Sequence, residues 1–147
     1  MRRQRTFGFM LRDVSACYVR RFEQHAHTLS LTLPQCRTLV ILESNQGFSQ
    51  ARLARLVNAE PMAMVRVLDR MESDGLLERR SDLDDRRARR LYLTRKARPV
   101  LREIWRLAEL TRGELFQGIT QRERKVFMQI LGKLHENTDA MQGVERE

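Results

Sequence analysis

The chain has 147 residues, 41% of them hydrophobic but only 6% aromatic, which suits one domain with an aliphatic, methionine-containing core. Its 28 basic and 19 acidic residues leave a net charge of +9 and a pI near 10.8, the balance of a protein with a polyanionic partner. Two cysteines, Cys17 and Cys36, offer neither a disulfide framework nor metal-ligand spacing and fit a reduced, cytoplasmic setting, and no apolar run approaches the roughly 20 residues of a membrane span.

Phe7, Met10, Leu11, Val14, Cys17, Tyr18 and Phe22 recur at three- and four-residue spacing and predict an amphipathic helix over residues 6–28. That stripe is long for a helix opening a small domain, which points to a second subunit besides the chain's own core. Arg12 and Asp13 interrupt the apolar run that a signal peptide needs. Pro34, after Thr32-Leu33, marks a new helix capped near Thr32 or Leu33. Leu39, Val40, Ile41 and Leu42 make it almost wholly apolar, and Asn45-Gln46-Gly47 ends it. Ser49 predicts the cap of a short helix, with Phe48 and Leu53 as a hydrophobic staple and Leu53, Leu56 and Val57 facing inward. After the turn Asn58-Ala59-Glu60, Pro61 opens a longer helix that runs to Asp74, with Val65, Leu68 and Met71 as its inner stripe and Gly75 as its stop. A short helix, a tight turn and a second helix make a helix-turn-helix.

The next segment carries the most information. Leu76 to Arg80 is strand-like, Ser81-Asp82-Leu83-Asp84-Asp85 turns, and Arg86, Arg87, Arg89 and Arg90 lead into a second strand, Leu91-Tyr92-Leu93-Thr94. Residues 78–96 hold eight basic and four acidic side chains, whereas residues 49–77 balance four against four. The excess charge therefore lies on a hairpin directly behind the helix pair, and near the N-terminus in Arg2, Arg3, Arg5 and Arg12.

From Ala97 the pattern is helical again, with Val100, Leu101, Ile104, Leu107, Ala108 and Leu115 spread over more than one face. Thr120 and Glu123 form a capping box for a last helix bearing Val126, Phe127, Ile130, Leu131 and Leu134, and the chain beyond Asn137 is expected to fray.

Catalytic chemistry finds little support. His25 and His27 lie two apart, so their rings diverge on a helix and solvent-facing roles are expected. There is no glycine-rich phosphate loop and no nucleophile elbow. Asp82, Asp84 and Asp85 sit within an arginine-rich turn, which they more readily organise than use for acid–base work. The chain is expected not to be an enzyme and to need no cofactor or metal.

The helix pair with its hairpin resembles the MarR family of winged helix-turn-helix transcriptional regulators. The matching residues run through Leu53-Ala54, then Val65-Arg66-Val67-Leu68-Asp69-Arg70-Met71-Glu72, Asp74-Gly75-Leu76-Leu77-Glu78-Arg79, and Asp84-Asp85-Arg86-Arg87-Ala88-Arg89-Arg90-Leu91-Tyr92-Leu93-Thr94. The wing is the most specific part. The resemblance implies a mainly α fold with a small β-wing. A winged helix-turn-helix region at 33–96, with its wing at 76–94, is flanked by dimerisation helices at 1–32 and 97–147. It also implies a homodimer that binds double-stranded DNA at a pseudo-palindromic operator, as a ligand-responsive repressor. The alternative is a basic architectural protein that binds nucleic acid without sequence choice; the balanced charge of residues 49–77 argues against it.

Roles follow residue by residue. Met62, Ala63, Arg66 and Arg70 lie opposite the inner stripe of the second helix, so they face the major groove. Arg66 is expected to read a base edge rather than a phosphate, since arginine fits guanine O6 and N7 together. Pro61, Met62 and Ala63 supply apolar contacts, and Ser49 and Gln50 contact phosphate. The family's Asp-x-Arg at the wing tip corresponds to Asp85-Arg86-Arg87, which implies Arg87 inserted into the minor groove and Asp85 bracing the turn. Arg86 pairs with Asp69 or contacts phosphate. Of Arg89 and Arg90 only one need face DNA, because strand side chains alternate, and Arg89 is taken as that one. Leu83 stands where the family often has proline. Many members bind a small phenolic or amphipathic effector between the two regions, and others sense oxidants through cysteine. The oxidant-sensing cysteine falls near Phe9 to Leu11, so Cys17 does not match it; burial is expected for both Cys17 and Cys36.

Overall fold

The computed structural model describes residues 6–57, 59–85 and 87–141. It orders them as α1 (Phe7–Ala26), a single 3-10 turn (His27–Leu29), α2 (Leu33–Glu43), β1 (Phe48–Ser49), α3 (Gln50–Leu56), α4 (Pro61–Ser73), β2 (Leu77–Ser81), β3 (Arg89–Leu93), α5 (Ala97–Leu115) and α6 (Gln121–Met141). The mainly α fold with a small β-wing is therefore present. Two compact units divide within α5, one up to Thr111 and one from Arg112 onward.

In the first unit the core is aliphatic and methionine-rich. Leu39 and Leu42 of α2, Leu53 of α3, Met64, Leu68 and Met71 of α4, Leu77 of β2 and Leu91 of β3 are all but inaccessible to solvent. Leu101, Ile104 and Leu107 of α5 belong to the same cluster, as do Phe22 and Ala26 at the end of α1. The rest of the α1 stripe is bare. Phe7, Phe9, Met10, Leu11 and Val14 are exposed, and so is Cys17, which corrects the expectation that it is buried. The reason is that one chain covers only the last turns of this helix. Cys36 is buried, and desolvation is the main cause that raises its thiol above the usual range.

Local signals explain the element boundaries. Thr32 caps α2 through a reciprocal capping box with Gln35: the Thr32 amide donates to Gln35 Oε1 at 2.8 Å and the Gln35 amide to Thr32 Oγ1 at 3.4 Å. At the other end Asn45 Nδ2 donates to the Ile41 carbonyl and Gln46 Nε2 to that of Leu42, which satisfies two orphaned helix acceptors. Gln46 Oε1 also accepts from the Leu93 amide at 2.8 Å, tying α2 to β3. Gly47 then takes φ +83°, and a side chain there would meet the Tyr92 hydroxyl at 3.0 Å, so the chain needs glycine twice over.

Ser49 caps α3 as expected, its Oγ accepting from the Arg52 amide at 3.2 Å. Leu56 does not face inward with Leu53 and Val57. It is exposed, because α3 has only two turns and Leu53 and Val57, four apart, define its inner edge. In α4 the buried residue is Met64, with Val65 half-buried, so the stripe runs Met64, Leu68, Met71. Asp74 and Gly75 end α4 in a Schellman motif: the Leu76 amide reaches back to the Met71 carbonyl and the Gly75 amide to that of Glu72, with Gly75 at φ +73°.

The hairpin then forms in antiparallel register Leu77 with Leu93, Arg79 with Leu91 and Ser81 with Arg89. β1 adds a third strand that sequence patterning missed, Phe48 opposite Leu91 and Ser49 opposite Arg90, giving the order β1-β3-β2. At two residues it is too short to leave a period-2 signal.

The second unit contains the end of α5 and all of α6. Thr120 and Glu123 make the expected capping box, with the Thr120 amide donating to Glu123 Oε2 at 2.8 Å. Phe116 and Phe127 meet edge to face at 5.6 Å between ring centres, and Arg124 spans the corner to the Ile119 and Phe116 carbonyls. Helix α6 continues through Asn137 to Met141, where fraying was expected. Val126, Phe127, Met128, Ile130 and Leu134 are exposed along it.

Candidate nucleic-acid interface

The head of α4 presents Pro61, Met62 and Ala63 to solvent, with Arg66 and Arg70 one and two turns on. Met62, Arg66 and Arg70 recur every four residues, on the side away from Met64, Leu68 and Met71. Arg66 has no intramolecular partner among the described residues. Arg70 forms an exposed pair with Asp74 at 3.1 Å, an i,i+4 bond worth about 0.3–0.5 kcal/mol that a phosphate can replace. The N-cap is Glu60, where the sequence predicts a turn. Its carboxylate accepts from the Met62 amide at 3.0 Å and the Ala63 amide at 2.9 Å. The helix end is thereby already satisfied, and its contact surface is the side chains of the first turn.

Ser49 and Gln50 lie half-buried at the junction of β1 and α3. The Ser49 oxygen is engaged as a cap but its hydroxyl proton remains a donor.

The wing turn is built by its acids. Asp82 Oδ1 accepts from the Asp84 amide at 2.8 Å and the Asp85 amide at 3.3 Å, while its other oxygen pairs with Arg90 Nε. The Asp84 amide first, and then Arg90, hold the Asp82 carboxyl below its ordinary value. Asp85 Oδ1 accepts from the Arg87 amide at 2.9 Å and its carbonyl from the Ala88 amide. The acidic cluster thus aims the arginines and leaves no free carboxylate pair for chemistry.

Arg87 is exposed, and its guanidinium has no partner among the described residues. Arg89 donates to Ser81 Oγ at 3.0 Å, on the opposite strand face from Arg90, which is held by Asp82 and the Gly47 carbonyl. Leu83 stands fully exposed in the turn, and Arg86 lies outside the described residues.

Asp69 has a partner the sequence did not reveal. Arg79, on the core-facing side of β2, sends Nη2 to Asp69 Oδ1 at 2.6 Å and Nη1 to Glu72 Oε2 at 2.5 Å. Burial works against its charge, but the hydrogen bonds it donates to Asp69 first and then to Glu72 overcome it and hold the guanidinium above its ordinary value. The signal was available: Leu77-x-Arg79 puts the arginine on the buried strand face, and Asp69 and Glu72 are three apart on the preceding helix.

A separate cavity of about 300 Å³ opens between the last turns of α1 and the first turn of α2, lined by Phe22, Glu23, Ala26, His27, Thr32 and Cys36 among others.

A helix pair followed by an arginine-tipped antiparallel hairpin defines a winged-helix protein. Residues 31–88 match the model of the MarR family, and the solved structures with this fold over most of the chain include MarR-family transcriptional regulators. A crystal structure of MarR is similar over 99% of both chains, with 26% identity and a TM-score of 0.88. A Mycobacterium tuberculosis MarR-family protein in complex with salicylic acid shares 25% identity over 91% of this chain and 99% of that one, at a TM-score of 0.76. The transcriptional repressor CouR, solved bound to a 23-mer DNA duplex, shares the fold over 88% of this chain and 92% of its own, at 24% identity and a TM-score of 0.78. No described helix is long and apolar enough to cross a membrane.

Proposed function

We propose that this regulator is a cytoplasmic homodimer that represses transcription by binding a pseudo-palindromic operator and releasing it when a small molecule binds. The observation that carries the DNA reading is the pair of uncommitted arginines. Arg66 on α4 and Arg87 in the wing turn are exposed, and neither guanidinium has an intramolecular partner among the described residues; they lie on two elements of opposite shape, a helix for the major groove and a hairpin for the minor groove. Arg66 reads a base edge. Pro61, Met62 and Ala63 add apolar contacts, and Ser49, Gln50 and Arg70 hold phosphates. In the wing Asp85 sets the turn, Arg87 enters the minor groove, and Arg86 and Arg89 support it on the backbone. Residues 33–96 form the DNA-binding region, and 1–32 and 97–147 the dimerisation helices, whose bare stripes on α1 and α6 are what a second subunit covers. The DNA complex of CouR supports this mode of use.

Titration of promoter and random duplexes over a salt series tests the reading. Preference for one sequence at every salt concentration is expected; equal affinity for all would leave only a non-specific basic protein. Arg87→Ala is expected to weaken operator binding severalfold with the dimer intact. Dissociation of the dimer in that variant would show that the wing has been misplaced.

The effector site is the cavity between α1 and α2, at the junction of the two regions, and the salicylic acid complex of the mycobacterial relative supports a small aromatic ligand. Ala26 lies in its wall and is buried. Ala26→Trp is expected to fill the cavity and abolish calorimetric binding of salicylate-like phenols while operator binding persists. Unchanged phenol binding in a folded variant would place the ligand elsewhere.

A further inference from the structure

Arg79 belongs to neither the uncommitted arginines nor the core. It lies three residues into the hairpin that begins at Leu76, on the sheet face it shares with Leu77 and Leu91. At this point the apolar core gives out and the outer flank of α4 begins. Its side chain is 16% exposed, against 59% for Arg80 beside it. Both arms of the guanidinium are occupied by carboxylates one turn apart on α4, and the Arg79 amide donates to Glu72 Oε1 at 3.1 Å. Three bonds therefore join one strand residue to two side chains of the helix. A planar fork held on both arms fixes orientation as well as distance.

We infer that Arg79 is a positioning residue for DNA recognition. Its ion pairs with Asp69 and Glu72 lock the wing to α4 and so fix the separation between Arg66 in the major groove and Arg87 in the minor groove. The inference rests on the reading of α4 and the wing as the DNA-contacting elements. Backbone continuity through Leu76 sets only where the hairpin starts; the strut on Arg79 sets its angle. Arg79 does this without touching DNA, since neither arm is free. A looser wing still carries its positive charge, so attraction to any duplex persists while simultaneous engagement of both grooves is lost.

Charge gives the test its discriminating power. Asp69→Asn with Glu72→Gln removes two negative charges beside Arg66 and Arg70. Electrostatics alone then raises affinity for all DNA, and more so if the freed Arg79 reaches a phosphate. Loss of position instead lowers affinity for the operator. The measurement is fluorescence anisotropy of full-length protein on the duplex that the wild type selects from a random pool and on a scrambled duplex, over a salt series. Circular dichroism melting confirms folding. The double carboxylate variant is expected to bind the scrambled duplex at least as well as wild type while its operator-to-scrambled ratio falls by about tenfold, the scale of one base contact. Arg79→Gln is expected to lose the ratio to a similar extent, with an unchanged slope of log affinity against log salt. A slope smaller by about one in Arg79→Gln would make Arg79 a phosphate contact, and an undiminished ratio in the carboxylate variant would remove the strut. Either result overturns the proposal. Absence of any preferred duplex in the wild type would instead overturn the assignment of α4 and the wing, and this inference with it.

Discussion

Ile130→Asp is expected to convert the protein to a monomer and to lower its operator affinity by roughly 10²–10⁴-fold. Ile130 is 52% exposed in the single chain and lies between Val126 and Leu134 at four-residue steps on α6. A 21-residue helix with such a face, and no buried residue of its own, is stable in water only if something covers it. In the proposed dimer a second copy would cover it twice, because a two-fold interface presents each residue in both subunits. An aspartate there leaves two carboxylates in an apolar contact, each an uncompensated charge costing several kcal/mol. The loss at DNA follows from linkage. Two half-sites read by one dimer gain an effective concentration that separate monomers lack, and that gain vanishes with the interface. Sedimentation equilibrium and operator titration of the same sample check both halves. A dimeric Ile130→Asp protein with wild-type affinity would remove α6 from the interface.

Arg66→Ala is expected to cost about 1–3 kcal/mol of operator affinity and to relax preference at a single base position in each half-site. Arg66 needs no release before it binds, since it has no partner within the chain among the described residues, and the buried stripe on the far side of α4 holds its backbone still. A base contact and a phosphate contact lose similar affinity but differ in sequence dependence. Selection of preferred duplexes by Arg66→Ala and wild-type proteins separates them: a base reader leaves one position degenerate, whereas a phosphate contact lowers all sequences alike and leaves the preferred site unchanged.

Much of this fold is legible in the chain because its punctuation is local. Pro61 at the head of α4, Gly75 at its end, Ser49 before α3 and the Thr120–Glu123 box each act within four residues, and the structure has each where its chemistry requires. The exposed side of α4 was legible too, as the complement of its apolar stripe. The stripe itself is legible only to within one residue at its start, since Met64 and Val65 are both apolar and only packing against neighbouring elements distinguishes them.

What the chain concealed is non-local. β1 exists only because Phe48 and Ser49 meet Leu91 and Arg90, over forty residues away. The hold of Arg79 on α4 joins strand and helix across the Schellman turn, whereas the sequence alone points to Arg86, which lies outside the described residues, either as the partner of Asp69 or as a phosphate contact. Cys17 sits in an apolar stripe as a buried cysteine would, yet it is exposed, because periodicity reports that a face is apolar and not what covers it. Glu60 is not legible as a cap because serine, threonine, aspartate and asparagine are the usual caps, yet its longer side chain reaches the same amides by folding back.

The central claim, one dimer reading two half-sites with Arg66 and Arg87, is tested most directly by footprinting the full-length protein on the duplex it selects. The account predicts a pseudo-palindromic site whose half-site centres lie about 10 base pairs apart or a multiple of that, with major-groove protection over each half-site and minor-groove protection beside it. Uniform protection without two-fold symmetry, or no preferred duplex at all, would contradict it.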